Sequence, residues 1–189
     1  MERSQEGGTD LSQKLFKGYL KSFFEVLQQG DAREESFYPV LKDLLSDYAE
    51  ETDRAGIHVT VQPKKTEAGN PDFRVWDGKQ HIIGYIEAKA PHERDLQRIA
   101  ESEQLVRYRS TFPNLILTNF TEFHLYRNGE LVDSVQIARP FVATNLGKIP
   151  PLEHAEQFAE LLDKFFTFSL PKLYSAESLA TALAVRTRF

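Results

Sequence analysis

The stretch Gly69–Pro91, GNPDFRVWDGKQHIIGYIEAKAP, holds two acidic-x-lysine tripeptides, Asp77-Gly78-Lys79 and Glu87-Ala88-Lys89, with a further acid at Asp72. PDFRVW and HIIGYIEAK are rich in β-branched and aromatic residues, and Asp77-Gly78 between them suits a hairpin turn. The first tripeptide is therefore read as turn chemistry, with Lys79 in water. The second closes an apolar strand after Ile82, Ile83, Tyr85 and Ile86. Residues two apart on a strand share a face, so Glu87 and Lys89 are predicted to project together. A two-residue turn at 77–78 pairs position 72 with position 83. Strand twist or a bulge must then bring Asp72 towards Glu87. Two carboxylates meeting there repel unless a hard cation sits between them, and oxygen-ligated Mg²⁺ is the natural choice. A lysine beside such an ion would hold the attacking water or offset charge on a phosphate.

Around this hairpin the hydrophobic period changes twice. Leu15, Tyr19, Phe23 and Leu27 recur at helical spacing up to Gly30. A second helix is predicted from about Asp31, with Phe37, Leu41, Leu44, Leu45 and Tyr48 on its apolar face. IHVTV from Ile57 alternates as a strand does. After Pro91, ERDLQRIAESEQLVRYRST reads as one helix, NLILTN as a buried strand, and Asn128-Gly129 as the centre of a second hairpin. AEQFAELLDKFF and SAESLATALAVRTRF read as C-terminal helices separated by a break at Pro171. The order predicts a mixed α/β sandwich. The expected division is a flexible lead over 1–10, one domain over 11–148, and a helical extension over 149–189 that connects to a further domain. Leu179, Leu183 and Val185 give the final stretch an apolar face, as expected of a module within a longer protein.

Composition narrows the function classes. The chain has 189 residues, 41% of them hydrophobic and 14 of them Phe, enough for one domain with a real core. No apolar run has the length of a membrane span, and MERSQEGGTD lacks an apolar signal core, so a cytoplasmic protein is expected. With no cysteine, disulfides, thiolate metal sites and cysteine nucleophiles are excluded. The five histidines show no paired ligand spacing for zinc, and no glycine-rich phosphate loop or GxSxG elbow occurs. A net charge of −5 argues against coating nucleic acid by bulk positive potential, but leaves room for a local basic groove.

NPDF…IEAK resembles the signature of the PD-(D/E)xK nuclease superfamily, carried by Pro71-Asp72 and Glu87-Ala88-Lys89. EESFYPVLKDLL before it, and AESEQLVRYRS and NLILTNFTEFHLYRNGE after it, extend the resemblance over roughly residues 10–145. The ordered set is similar to the N-terminal endonuclease domain of type IIG and type ISP restriction–modification enzymes, where a nuclease is fused to an adenine-N6 methyltransferase. The resemblance implies a restriction-endonuclease-like α/β core, a mixed β-sheet flanked by helices, with a C-terminal helical extension. It implies Asp72 and Glu87 as metal-binding acids and Lys89 as catalytic lysine, with the carbonyl of Ala88 beside them. The family's additional helical glutamate falls on Glu34. Periodicity places Glu34 on the core-facing stripe, while Asp31-x-x-Glu34 also has the form of a capping box that would tie down the helix start. The family's glutamine falls on Gln104, with Tyr108 one turn on. An ordinary polar helix edge explains that pair equally well.

The resemblance implies a Mg²⁺-dependent endonuclease acting on double-stranded DNA, with Mn²⁺ as a substitute and products bearing 5′-phosphate and 3′-hydroxyl ends. Lys64, Lys65, Arg74 and Tyr108 are the expected DNA contacts, and PKKTEAGN is the expected DNA-facing loop. Arg94, Arg98, Arg107 and Arg109 are further cations near the motif, most of them read as solvated charge. The expected partners are downstream methyltransferase and target-recognition domains outside this chain, and a second copy meeting it on DNA so that both strands are cut. Two alternatives stand beside this reading. One is a catalytically silent nuclease-like module that binds DNA or protein; the other is the nuclease domain of a type I restriction or repair system.

Overall fold

The computed structural model describes residues 3–54, 56–79 and 81–169. One sheet of six strands, in the order β1-β2-β3-β4-β5-β6, forms its centre. The strands are β1 (His58–Val61), β2 (Phe73–Trp76), β3 (Ile82–Ala88), β4 (Asn114–Thr118), β5 (Glu122–Arg127) and β6 (Glu130–Gln136). Only β3 and β4 run parallel; the other neighbours are antiparallel. A parallel pair needs a crossover, and α3 (Leu96–Ala100) and α4 (Glu103–Thr111) supply it. All five residues of β4 are buried, as expected of a strand covered on both faces. This is the mixed sheet with flanking helices that the sequence leads one to expect.

The two faces carry separate apolar layers. Phe73, Val75, Ile86, Ile116 and Leu125 pack with α1 (Arg3–Leu27), α2 (Tyr38–Glu51) and α6 (Ala155–Phe166). Tyr85, Leu115, Leu117 and Tyr126 face the other way, against α3 and α4 through Leu96, Leu105 and Tyr108. Helix α6 buries Phe158, Leu161, Leu162, Phe165 and Phe166 in the first layer. Each such side chain contributes roughly 1.5–3 kcal/mol, which makes α6 part of the same core as the strands. A short helix, α5 (Pro140–Leu146), precedes it. Helix α1 begins at Arg3, inside the stretch expected as a flexible lead. The apolar stretch with Leu179, Leu183 and Val185 lies outside the described residues. Among the described residues, no helix is long and apolar enough to cross a membrane.

Three local expectations are corrected. The helix predicted from Asp31 instead starts at Tyr38, after a 3₁₀ turn over Glu34–Phe37. Pro39 explains this: in a helix interior it would lose a hydrogen bond and clash with the preceding turn, so it sits in the first turn. The Asp31-x-x-Glu34 capping box does not form; the Ser36 hydroxyl accepts the Arg33 N–H at 3.1 Å instead. The helix predicted across 93–111 breaks in two, because Ser102 caps α4 by accepting the Leu105 N–H at 3.4 Å. The third correction concerns register. Residues 72 and 83 do not pair; Phe73 lies opposite Ile86 and Trp76 opposite Ile82, with a bulge at Val75/Trp76. The Asp77 carboxylate accepts the N–H groups of Lys79 and His81, at 2.9 and 3.0 Å. That longer loop shifts the partners by about four positions.

Gly84 of β3 is closely approached by α6 and by the neighbouring strand β4. A Cβ there would lie 2.6 Å from the Phe165 ring and 2.7 Å from the Asn114 carbonyl oxygen. Gly84→Ala is expected to destabilise the protein by about 1–3 kcal/mol, the usual cost of overpacking, and to lower Tm accordingly. A thermal melt superimposable on the wild type would refute this packing.

Candidate active site

The observed register places Asp72, which immediately precedes β2, opposite Glu87 near the end of β3. Glu87 lies on the sheet face that α4 covers, since its neighbour across the parallel pair is Leu117 of the second layer. Asp72 is half-buried and Glu87 is 3% exposed. Both oxygens of Asp72 are engaged: Oδ1 accepts the Tyr38 hydroxyl at 2.6 Å, and Oδ2 accepts the Ala88 N–H at 2.8 Å. Glu87 Oε1 accepts Lys89 Nζ at 2.6 Å and Gln104 Nε2 at 2.9 Å. Its other oxygen, Oε2, is buried with no N–H or O–H donor reaching it, and the Asp72 carboxylate beside it can only accept a proton from Glu87. An orphaned carboxylate oxygen is costly inside a protein, and here it sits at an acid pair.

The electrostatics follow from this crowding. Burial, and then the charge of Asp72, push the Glu87 carboxyl up to about 7 despite Lys89 beside it. Burial also raises Glu34, with Asp72 adding to it and Lys89 opposing. Burial works to lower Lys89, but the charge and hydrogen bond of Glu87, with Glu34 and Asp72 behind, outweigh it and hold the ammonium above its ordinary range. Tyr38 is raised far above the usual phenol range, by burial first and then by its bond to Asp72. It therefore remains a hydrogen-bond donor.

The structure brings Glu34, Asp72, Glu87, Lys89 and Gln104 to one end of the sheet. Glu34 is joined to Asp72 through Tyr38, whose hydroxyl lies 3.1 Å from Glu34 Oε1. Tyr38 is the member that sequence reasoning missed. Its spacing of four from Glu34 is the available signal. Ala88 enters through its N–H. Gln104 also reaches the Tyr108 hydroxyl at 3.3 Å. Tyr108 is 1% exposed in the second core layer, so it presents its hydroxyl to Gln104 rather than to solvent.

The cations are dispersed. Lys64 and Lys65 are exposed on the loop before Asp72, and Arg74 is half-buried on β2. Arg94 and Arg98 are exposed around the start of α3. Arg109 pairs with Glu101 at 3.0 Å, and Arg107 donates through Nε to the Ala68 carbonyl at 2.6 Å. Among the described residues, no group of three or more His, Asp or Glu side chains is close enough to cage a metal ion unaided. A pair of acids is nevertheless what Mg²⁺ uses when water and substrate phosphate complete its shell. The all-oxygen donor set and the orphaned Glu87 oxygen fit such an ion.

No protein-family model matches the chain, and no curated protein matches it. Among solved structures, it is similar to a chain of the cryoEM structure of a DrdV–DNA complex. The two are 27% identical with a TM-score of 0.62, over 93% of this chain and 15% of that one. The chain thus corresponds to a small part of that neighbour's length, and the restriction-enzyme-like fold expected from the sequence is the one found.

The raised Glu87 carboxyl carries a signed consequence for stability. Its folded pKa lies above the ordinary 4.5, so the folded state prefers neutral Glu87. The stability from that preference is fully present below about pH 4.5 and is lost as pH rises through about 7. In metal-free buffer, Glu87→Gln is therefore expected to stabilise the protein at pH 8 by about 1–3 kcal/mol, with the gain shrinking towards pH 4.5. Melting curves of both proteins across that range check this; a Glu87→Gln protein less stable than wild type at pH 8 would contradict it.

Proposed function

We propose that the chain is the endonuclease part of a restriction–modification enzyme and hydrolyses phosphodiester bonds in DNA with a divalent metal ion. One observation carries this reading: Asp72 faces Glu87 across one strand pair, while Lys89 and Gln104 converge on Glu87. A structural ion pair would not need a second, like-charged acid beside a half-satisfied one. Such crowding is the mark of a site built for an external cation. The likeness to a protein seen in complex with DNA supports the choice of substrate.

Asp72 and Glu87, with the Ala88 carbonyl and Glu34 behind them, would hold Mg²⁺, and Mn²⁺ would substitute for it. When bound, the ion polarises the phosphoryl group and lowers the pKa of a coordinated water. The chain's own residues supply position and charge. The Lys89 ammonium has three donors and no acceptor, one of them committed to Glu87. The others suit the nucleophilic water and the oxygens of the phosphoryl group, where negative charge develops. Gln104 fixes Glu87 from α4, and Tyr38 fixes Asp72 from α2. Water adds to phosphorus as the bond to the 3′ oxygen breaks. The attacking water gives up a proton and the leaving oxygen takes one up, giving 5′-phosphate and 3′-hydroxyl ends. One site cuts one strand, so cleavage of a duplex needs two copies on DNA. The methyltransferase and target-recognition functions belong to domains beyond this chain.

Plasmid nicking by the full-length protein with Mg²⁺ tests the assignment. Lys89→Ala and Asp72→Asn are each expected to lower the rate at least about 100-fold, the scale of losing one electrostatic group. Equal cleavage by all three proteins would defeat it. Tight DNA binding by the wild type without any cleavage would favour a silent DNA-binding module instead.

A further inference from the structure

A polar groove of about 470 Å³ opens beside the acid pair, between α4 and the turn at Thr66–Gly69. Lys65, Glu67, Asn70, Gln104, Arg107 and Tyr108 line it. Its walls are fixed. The turn is closed by paired main-chain bonds, Thr66 N–H to the Gly69 carbonyl at 2.7 Å and Gly69 N–H to the Thr66 carbonyl at 3.2 Å. Ala68 is buried with Leu105 and Tyr108, and Arg107 holds the Ala68 carbonyl. Gly69 has φ of 135°, and a Cβ there would sit 3.1 Å from the Tyr108 hydroxyl, so the turn lies flush on α4. At one end is Gln104, whose amide reaches Glu87, and at the other side Asn70 leads through Pro71 into Asp72.

We infer that this groove carries the sugar–phosphate backbone flanking the bond to be cut. The inference rests on the nuclease reading and adds the path of the strand. Lys65 and Arg107 are both exposed, on opposite walls, in a protein of net charge −5. Arg107 commits Nε to Ala68, which leaves the terminal N–H groups of its guanidinium for a phosphate oxygen. Glu67 opposes them from the rim. The groove therefore has cations beside the acid pair, walls tied together by hydrogen bonds, and a polar rather than apolar lining. Those are the requirements for a backbone contact that positions without reading sequence.

Single-turnover cleavage by the full-length protein, measured against protein concentration at several salt concentrations, tests this. Lys65→Gln is expected to weaken half-saturation and to lower the salt slope by about 1, as loss of one phosphate contact does. Glu67→Gln is expected to tighten half-saturation. Lys21→Gln, on the exposed side of α1, should change nothing. If Lys65→Gln and Glu67→Gln both behave as wild type, or if Lys21→Gln weakens binding as much, the groove is overturned while cleavage that depends on Lys89 still stands. If the wild type neither binds nor cuts DNA, the nuclease reading fails and the groove assignment fails with it.

Discussion

The pairing of Phe73 with Ile86 fixes everything else at the end of the sheet that carries Asp72 and Glu87. Those two side chains face the layer formed with α1, α2 and α6, so the residues next to them along each strand face the opposite way. Asp72 and Glu87 are those neighbours. A register slip of one residue between the two strands would turn one acid to the opposite face and separate the pair. The apolar layer on one side of the sheet thus sets the position of the carboxylates on the other.

Holding two acids together opposes folding, and the surrounding residues show how the cost is limited. The Ala88 N–H and the Tyr38 hydroxyl complete Asp72, while Lys89 and Gln104 share one oxygen of Glu87. The second Glu87 oxygen is left without a donor, and the carboxyl is raised accordingly. Every one of these supports comes from a rigid element or its immediate end. Tyr38 is packed between Phe73 and Phe120, at ring distances of 5.0 and 6.5 Å, and Gln104 is held by the Tyr108 hydroxyl. A site with this much support is pre-organised, and the remaining imbalance of charge is what a cation would relieve.

Much of the fold was legible because local chemistry and global packing agree. Asn128 and Gly129 take φ of 50° and 90° in a two-residue connection between β5 and β6, the conformation that Asn-Gly favours. NLILT reads as a buried strand and is one. Glu87 and Lys89 do project together, two residues apart. The failures have local causes as well. Asp77-Gly78 marks the turn but not its length, which depends on side-chain bonds from Asp77 to Lys79 and His81. Pro39 outweighs the helical period before it, and Ser102 divides a helix whose apolar stripe runs on past the break. Tyr38 carries no local signature of its role at Asp72, because that bond is made across 34 positions of the chain. Tyr38 is core through its ring and part of the site through its hydroxyl.

In the proposed reading, Asp72 and Glu87 are held side by side to share one divalent cation. The most direct measurement is the titration of the Glu87 side-chain carboxyl by ¹³C NMR, with and without Mg²⁺. Without metal the midpoint is expected near 7, where burial and Asp72 place it. Saturating Mg²⁺ should lower it by about 1 unit or more, as a close opposite charge does. A midpoint that Mg²⁺ leaves unmoved would contradict a shared cation at Asp72 and Glu87.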